Sequence, residues 1–220
     1  MRKPGSVKSL ETLGRERLSR HFFMRDFLYS EIGNFFRIRN IPDDPELALR
    51  VGRRLAAELL EPLVETFGPI AVRSAYRSPE VNGYGAEQGL GCASNKSNRA
   101  SHIWDQRDDG GNCGACVSIV VPWFADQYEQ GRDYLDLAWW LYDHLNFHRI
   151  RFFPKRAAFN LTWRENPERS VYSWIGPTRA ILKAGAVPPP EDERQPRYRD
   201  FPAFRAITYP PLPERFAEQR

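Results

Sequence analysis

The stretch Ser74-Ala75-Tyr76-Arg77-Ser78-Pro79-Glu80-Val81-Asn82 decides how the rest of this 220-residue chain is read. Immediately before it, Ile70 to Val72 reads as a short strand, and Gly68-Pro69 closes the helix that precedes that strand. That helix is the most regular pattern in the chain. Leu47, Val51, Leu55, Leu59 and Leu63 recur every four residues, and Ala56, Leu60, Val64 and Phe67 widen the stripe. Asp44 is a suitable N-cap, and Pro45 sits in the first turn, where its missing N–H costs nothing. Pro62 falls inside the pattern and is expected to kink or restart it. Downstream, Val117 to Val121 is a β-branched run that reads as a buried strand. Leu135, Ala138, Trp139, Tyr142 and Leu145 mark a second helix after Asp133. Arg149 to Phe153 and Ala158 to Trp163 are two further strands, joined through Pro154-Lys155-Arg156. Helices followed by several short strands predict an α+β fold, with helices packed on a small, mostly antiparallel sheet.

Bulk properties set the outer limits. Hydrophobic residues make up 41% of the chain, enough for one core, and the length is that of one domain with a lead-in and a tail. The net charge of +4 comes from 32 basic and 28 acidic residues scattered together, so no nucleic-acid partner is expected. Nothing approaches the ~18 apolar residues of a membrane span, and no membrane partner is expected. Residues 1–14 carry no apolar run, which gives a cytoplasmic expectation; a mature chain that had lost its signal would read the same way. Three cysteines do not make a disulfide framework. From Pro188 onward the prolines Pro188, Pro189, Pro190, Pro196, Pro202, Pro210, Pro211 and Pro213 forbid long helices. Tyr198, Phe201, Phe204 and Tyr209 among them predict a tail packed on the body. The expected organisation is a lead-in over 1–21, a body over 22–187 and this tail over 188–220.

With Phe27-Leu28-Tyr29-Ser30-Glu31, Ile41-Pro42 and the long helix ahead of it, Ser74 to Asn82 resembles the start of zinc D-Ala-D-Ala carboxypeptidase-like domains. It is similar to that family's Ser-Gly-Tyr-Arg-Ser-Pro-x-x-Asn signature with one Gly-to-Ala change, and the likeness extends from Phe22 to Trp163. The resemblance implies the hedgehog/D-Ala-D-Ala-peptidase fold and cleavage near the end of a peptidoglycan stem peptide. It also implies a zinc ion held by two His and one Asp, with a Glu as general base and an arginine on the polarised carbonyl.

Carried over residue by residue, the resemblance makes Arg77 the catalytic arginine. Tyr76 and Ser78 flank it as substrate contacts, and His102 in Ala100-Ser101-His102 becomes the first metal ligand. Aligning Gly114-Ala115-Cys116-Val117-Ser118 with the family's Gly-x-Ala-x-Asp puts Ser118 where the ligand Asp belongs. Phe159-Asn160-Leu161 aligns with Trp-x-His and puts Asn160 where the second His belongs, and Arg156-Ala157-Ala158 lacks the Glu. Ser118 and Asn160 are therefore expected as substrate contacts. Substitute metal ligands are sought in the acidic stretch after His102: Asp105 follows it by three residues, and Asp109 by seven, the family's own His-to-Asp spacing. His148 is a further nitrogen within reach in sequence.

Cys92, His102, Cys113 and Cys116 could instead form a tetrahedral zinc set, although Cys116 is expected to begin a buried strand as a small apolar residue. Three functions follow. One is a repurposed metal-dependent enzyme, zinc being the implied metal, acting on an amino-acid- or peptide-like substrate. The second is a non-catalytic descendant that binds a peptide or partner in the old cleft. The third is a peptidoglycan D,D-carboxypeptidase.

Overall fold

The computed structural model describes residues 1–206; Tyr209, Pro210, Pro211 and Pro213 of the predicted tail lie outside them. The long amphipathic helix forms as α3 (Pro45–Leu55) and α4 (Glu61–Phe67), preceded by α1 (Val7–Gly14) and α2 (Glu31–Phe36). Asp44 caps α3, its carboxylate accepting the Leu47 N–H at 3.0 Å. Between α3 and α4 the chain makes one π-helical turn, Ala56–Leu60. Pro62 explains it: the ring has no N–H to give and would collide with the carbonyl four residues back in an unbroken α-helix. A wider turn relieves that collision without breaking the rod.

Six strands form one sheet: β1 (Ala71–Ser74), β2 (Gly114–Val120), β3 (Arg149–Phe152), β4 (Phe159–Arg164), β5 (Ser170–Ser173) and β6 (Ala180–Leu182). Their spatial order is β1-β2-β4-β3-β5-β6, and every neighbouring pair is antiparallel except β3 with β5. The α+β architecture with a mostly antiparallel sheet is as the sequence pattern predicts.

Side-chain alternation gives the sheet two unlike faces. Ala115, Val117 and Ile119 of β2, Phe159 and Leu161 of β4, Ile150 and Phe152 of β3, and Val171 of β5 all enter the main core. There they meet the apolar stripe of α3–α4 and that of α8 (Tyr134–His144). The opposite face carries Ser118, Asn160, Arg151 and Tyr172 in one transverse row, each opposite the next in register. After a register shift in β1, Ser74 extends the row beyond Ser118.

One end of this second face is roofed by α7 (Pro122–Glu129) and the Lys155–Ala157 turn, where Val120, Ala125 and Ala158 make a small separate cluster. After β1 come α5 (Pro79–Glu87) and α6 (Asn95–Asn98), which pack on each other. Past the short α9 (Glu191–Arg194), the described part of the proline-rich segment lies on the body. Phe201 is buried against Phe67 and Trp123, and the Tyr198 hydroxyl donates to Asp143 at 2.6 Å. Among the described residues no helix is long and apolar enough to cross a membrane.

Candidate functional site

The polar row on the open face is the floor of the site, and two loops form its wall. The 75–77 segment leaves β1 and meets the 101–103 segment, with the Arg77 N–H donating to the His102 carbonyl at 2.8 Å. The 101–103 segment also lies beside β2, where the Cys116 N–H donates to the Ser101 carbonyl at 2.9 Å. Together these bonds carry the His102 ring onto the floor. Its Nδ1 lies 2.7 Å from the Ala75 carbonyl oxygen, which can only accept, so Nδ1 holds the proton and Nε2 keeps its lone pair. Nε2 faces the Asn160 side-chain amide, which donates to it at 3.4 Å. Burial holds the ring's pKa down to about 3, and the Arg77 charge pushes the same way, so His102 is neutral at physiological pH.

Arg77 stands beside this ring, donating to the Ser74 hydroxyl at 3.1 Å and to the Cys92 sulfur at 3.3 Å. Arg151 approaches from the other side, opposite Asn160 on β3. The positive charges of Arg77 and Arg151 both act to lower the pKa of the buried Cys116 thiol. Burial still pushes that thiol's pKa up, so it stays protonated and behaves as part of the floor. Among the described residues neither Arg77 nor Arg151 forms an ion pair with a carboxylate. Beyond Ser118, Val120 borders a cavity of about 570 Å³ whose wall carries Arg73, Lys155 and Arg156 together with Asp126 and Glu129.

The structure thus brings together Arg77, His102, Ser118 and Asn160 from the residues singled out in the sequence. The others serve elsewhere. Tyr76 points away from the floor into the core, fully buried, with its hydroxyl donating to Asp105 at 3.3 Å. Ser78 caps α5, accepting the Val81 N–H at 3.2 Å and donating to the Arg39 carbonyl at 3.1 Å. Asn82, at the end of the same stretch, is buried and ties down the 93–98 loop through Ala93, Asn95 and Asn98.

Asp105 ties the loop before α3, its Oδ2 accepting the N–H groups of Asp43 at 2.6 Å and Asp44 at 3.3 Å. Asp109 is exposed and pairs with Lys96 and Arg99. Neither carboxylate is a partner of His102. His148 lies three positions from Arg151 along the chain and bonds to the backbone of Asn166 and Glu168. Cys113 joins the main core and touches Arg50, while Cys92 touches Arg77, so the cysteines do not assemble around one point.

These contacts bear on the zinc that the resemblance implies. A zinc site needs anionic or imidazole donors, typically three from the protein with one position left open. Here the floor offers one imidazole nitrogen, a hydroxyl, a carboxamide and a protonated thiol, with two cations beside them. Among the described residues no three His, Cys, Asp or Glu side chains gather in a way that could hold a metal ion. This donor set does not fit zinc. Its charge is the opposite of what a cation site needs.

Sequence reasoning missed Arg151, which borders the site on its far side. The signal for Arg151 was present: Arg149-Ile150-Arg151-Phe152 alternates strictly, so two arginines must share the face opposite the buried Ile150 and Phe152. No protein-family model, curated protein or solved structure matches this chain.

Proposed function

We propose that this chain is a binding protein built on a D-Ala-D-Ala-peptidase-like scaffold. In this reading the open face holds the carboxylate of an amino-acid or peptide ligand on Arg77 and Arg151, without a resident metal. One observation carries the reading: Arg77 and Arg151 border a row of neutral groups, and neither has an acidic partner among the described residues. A guanidinium beside neutral hydrogen-bonding groups is a receptor for an oxyanion, which its planar fork can grip through two N–H groups. Ser74, Ser118 and Asn160 supply neutral donors along the row that leads across the sheet toward Arg151. His102, kept neutral by burial, adds no competing charge and holds the Asn160 amide through its lone pair. The adjoining cavity leaves room for the rest of a short peptide.

The test is calorimetric titration with N-acetyl-Ala-Ala in its L,L and D,D forms, each as the free acid and as the C-terminal amide. The free acid of at least one form is expected to bind and its amide to bind at least about tenfold more weakly, the value of one charge-assisted hydrogen bond. Arg77→Gln and Arg151→Gln should each lose a similar factor. Equal binding of acid and amide would remove the proposal.

A further inference from the structure

The carboxylate site is continued on one side by an aromatic and arginine ladder whose outermost ring is open to solvent. Arg149 and Arg151 lie over the Tyr172 ring, with guanidinium carbons 5.6 Å and 5.8 Å from its centroid. Arg151 also lies 5.9 Å from the Trp174 ring, and Arg179 lies 4.7 Å from it. Trp174 is nonetheless 49% exposed, an unusual state for the largest apolar side chain. It does not sit on a loose loop. Its backbone N–H donates to the Phe152 carbonyl at 2.9 Å, and the backbone N–H of the preceding Ser173 donates to the Arg179 carbonyl at 2.9 Å. The Ser173 hydroxyl accepts the Ile175 N–H at 2.9 Å and fixes the turn that follows. An indole carried on a fixed backbone, braced by two arginines and left half uncovered is preorganised to receive a flat partner.

Arg151 joins the two regions. Its strand lies between Asn160 on β4 and Tyr172 on β5, so one guanidinium can present its N–H edge to an oxyanion while its face rests on the rings. Strands lie roughly 5 Å apart, which puts the ring platform roughly 10 Å across the sheet from Asn160. That is the reach of a side chain on the last or next-to-last residue of a peptide whose carboxylate lies at Arg77 and Arg151.

We infer that Trp174, with Tyr172, Arg151 and Arg179, forms a ring subsite, and that the preferred ligand is a peptide carrying an aromatic side chain at or next to its C-terminal carboxylate. The inference rests on the carboxylate reading above for the position of the peptide's end. It accounts for a half-exposed tryptophan that is flanked by two arginines.

The experiment compares N-acetyl-Ala-Phe with N-acetyl-Ala-Ala, each as acid and amide, on the intact chain and on Trp174→Ala and Trp174→Phe. The Phe-ended acid should bind about five- to tenfold more tightly than the Ala-ended acid. Trp174→Ala should erase that advantage and leave the Ala-ended affinity in place, while Trp174→Phe keeps most of it. Circular dichroism of the variants checks that each is folded; because the side chain is half exposed at a turn, both should be. Equal affinity for the two acids, with acid still preferred over amide, overturns the ring subsite and leaves the carboxylate site standing. A Phe preference that needs Trp174 but ignores amidation supports the ring subsite and overturns the carboxylate reading. A Phe preference that survives Trp174→Ala overturns the ring subsite, and no binding by any of the four peptides overturns both.

Discussion

The two faces of the sheet are made by the same strands, alternate residues apart, and they are built to opposite rules. On one face Val117, Ile119, Phe159 and Leu161 meet α3 and α8 with no exposed surface left. On the other, Ser118 and Asn160 sit directly opposite each other; there Arg149 and Arg164 pair with Glu168 and Asp108, while Arg77 and Arg151 form no ion pair within the described residues. Backbone pairing is common to both, so the difference lies in what the side chains do. The apolar face carries stability, and the polar face leaves the charges of Arg77 and Arg151 without an acidic partner among the described residues. Groups left unsatisfied within the fold are available to a ligand.

This contrast can be broken from either side. Phe159→Ala, on the apolar face against Phe152, should cost about 3–5 kcal/mol of stability, read as a shift of the urea midpoint. Asp105→Ala should cost about 1–3 kcal/mol, because it orphans the amides of Asp43 and Asp44. It should leave carboxylate affinity unchanged, which separates a structural tie from a ligand role. Arg151→Gln should do the reverse, with stability within about ±0.5 kcal/mol of the parent and carboxylate affinity down at least about tenfold. Ser118→Asp, which places an anion on the floor, should weaken carboxylate binding without unfolding the chain.

The pH dependence sharpens the same comparison. His102 is held down to about 3 and His148 to about 4, both chiefly by burial, against an ordinary value of 6.5. Between those values and 6.5 the unfolded chain binds the protons that the folded chain refuses. The stability these rings contribute is therefore complete above about pH 6.5 and is lost as the pH falls toward 3 to 4. Urea unfolding at pH 7, 5.5 and 4.5 should show this decline, and His102→Gln should make it shallower.

Much of the scaffold was legible because its signals are long and periodic. The every-fourth apolar stripe located α3–α4 with its cap at Asp44, and the run after Asp133 located α8, which the structure bounds at Tyr134–His144. The strands β5 and β6 were not legible. Ser170–Ser173 and Ala180–Leu182 are too short to show a period, and they exist because β3 and then β5 offer an edge to pair with. Within the site, the resemblance brought His102, Ser118 and Asn160 to one place. It could not tell which residues of Ser74 to Asn82 turn inward, and Tyr76 and Ser78 do. Asp105 and Asp109 have suitable spacing from His102, but spacing does not report which amides or lysines a carboxylate meets first.

The most direct test of the account is titration of the intact chain with N-acetyl-Ala-Phe, before and after exhaustive chelation, with elemental analysis of the same samples. The account predicts binding of the free acid that is unchanged by chelation, is at least about tenfold weaker for the amide, and is lost in Arg77→Gln with Arg151→Gln combined. Stoichiometric metal in the purified chain, with binding that disappears on chelation and returns when the metal is restored, would contradict it.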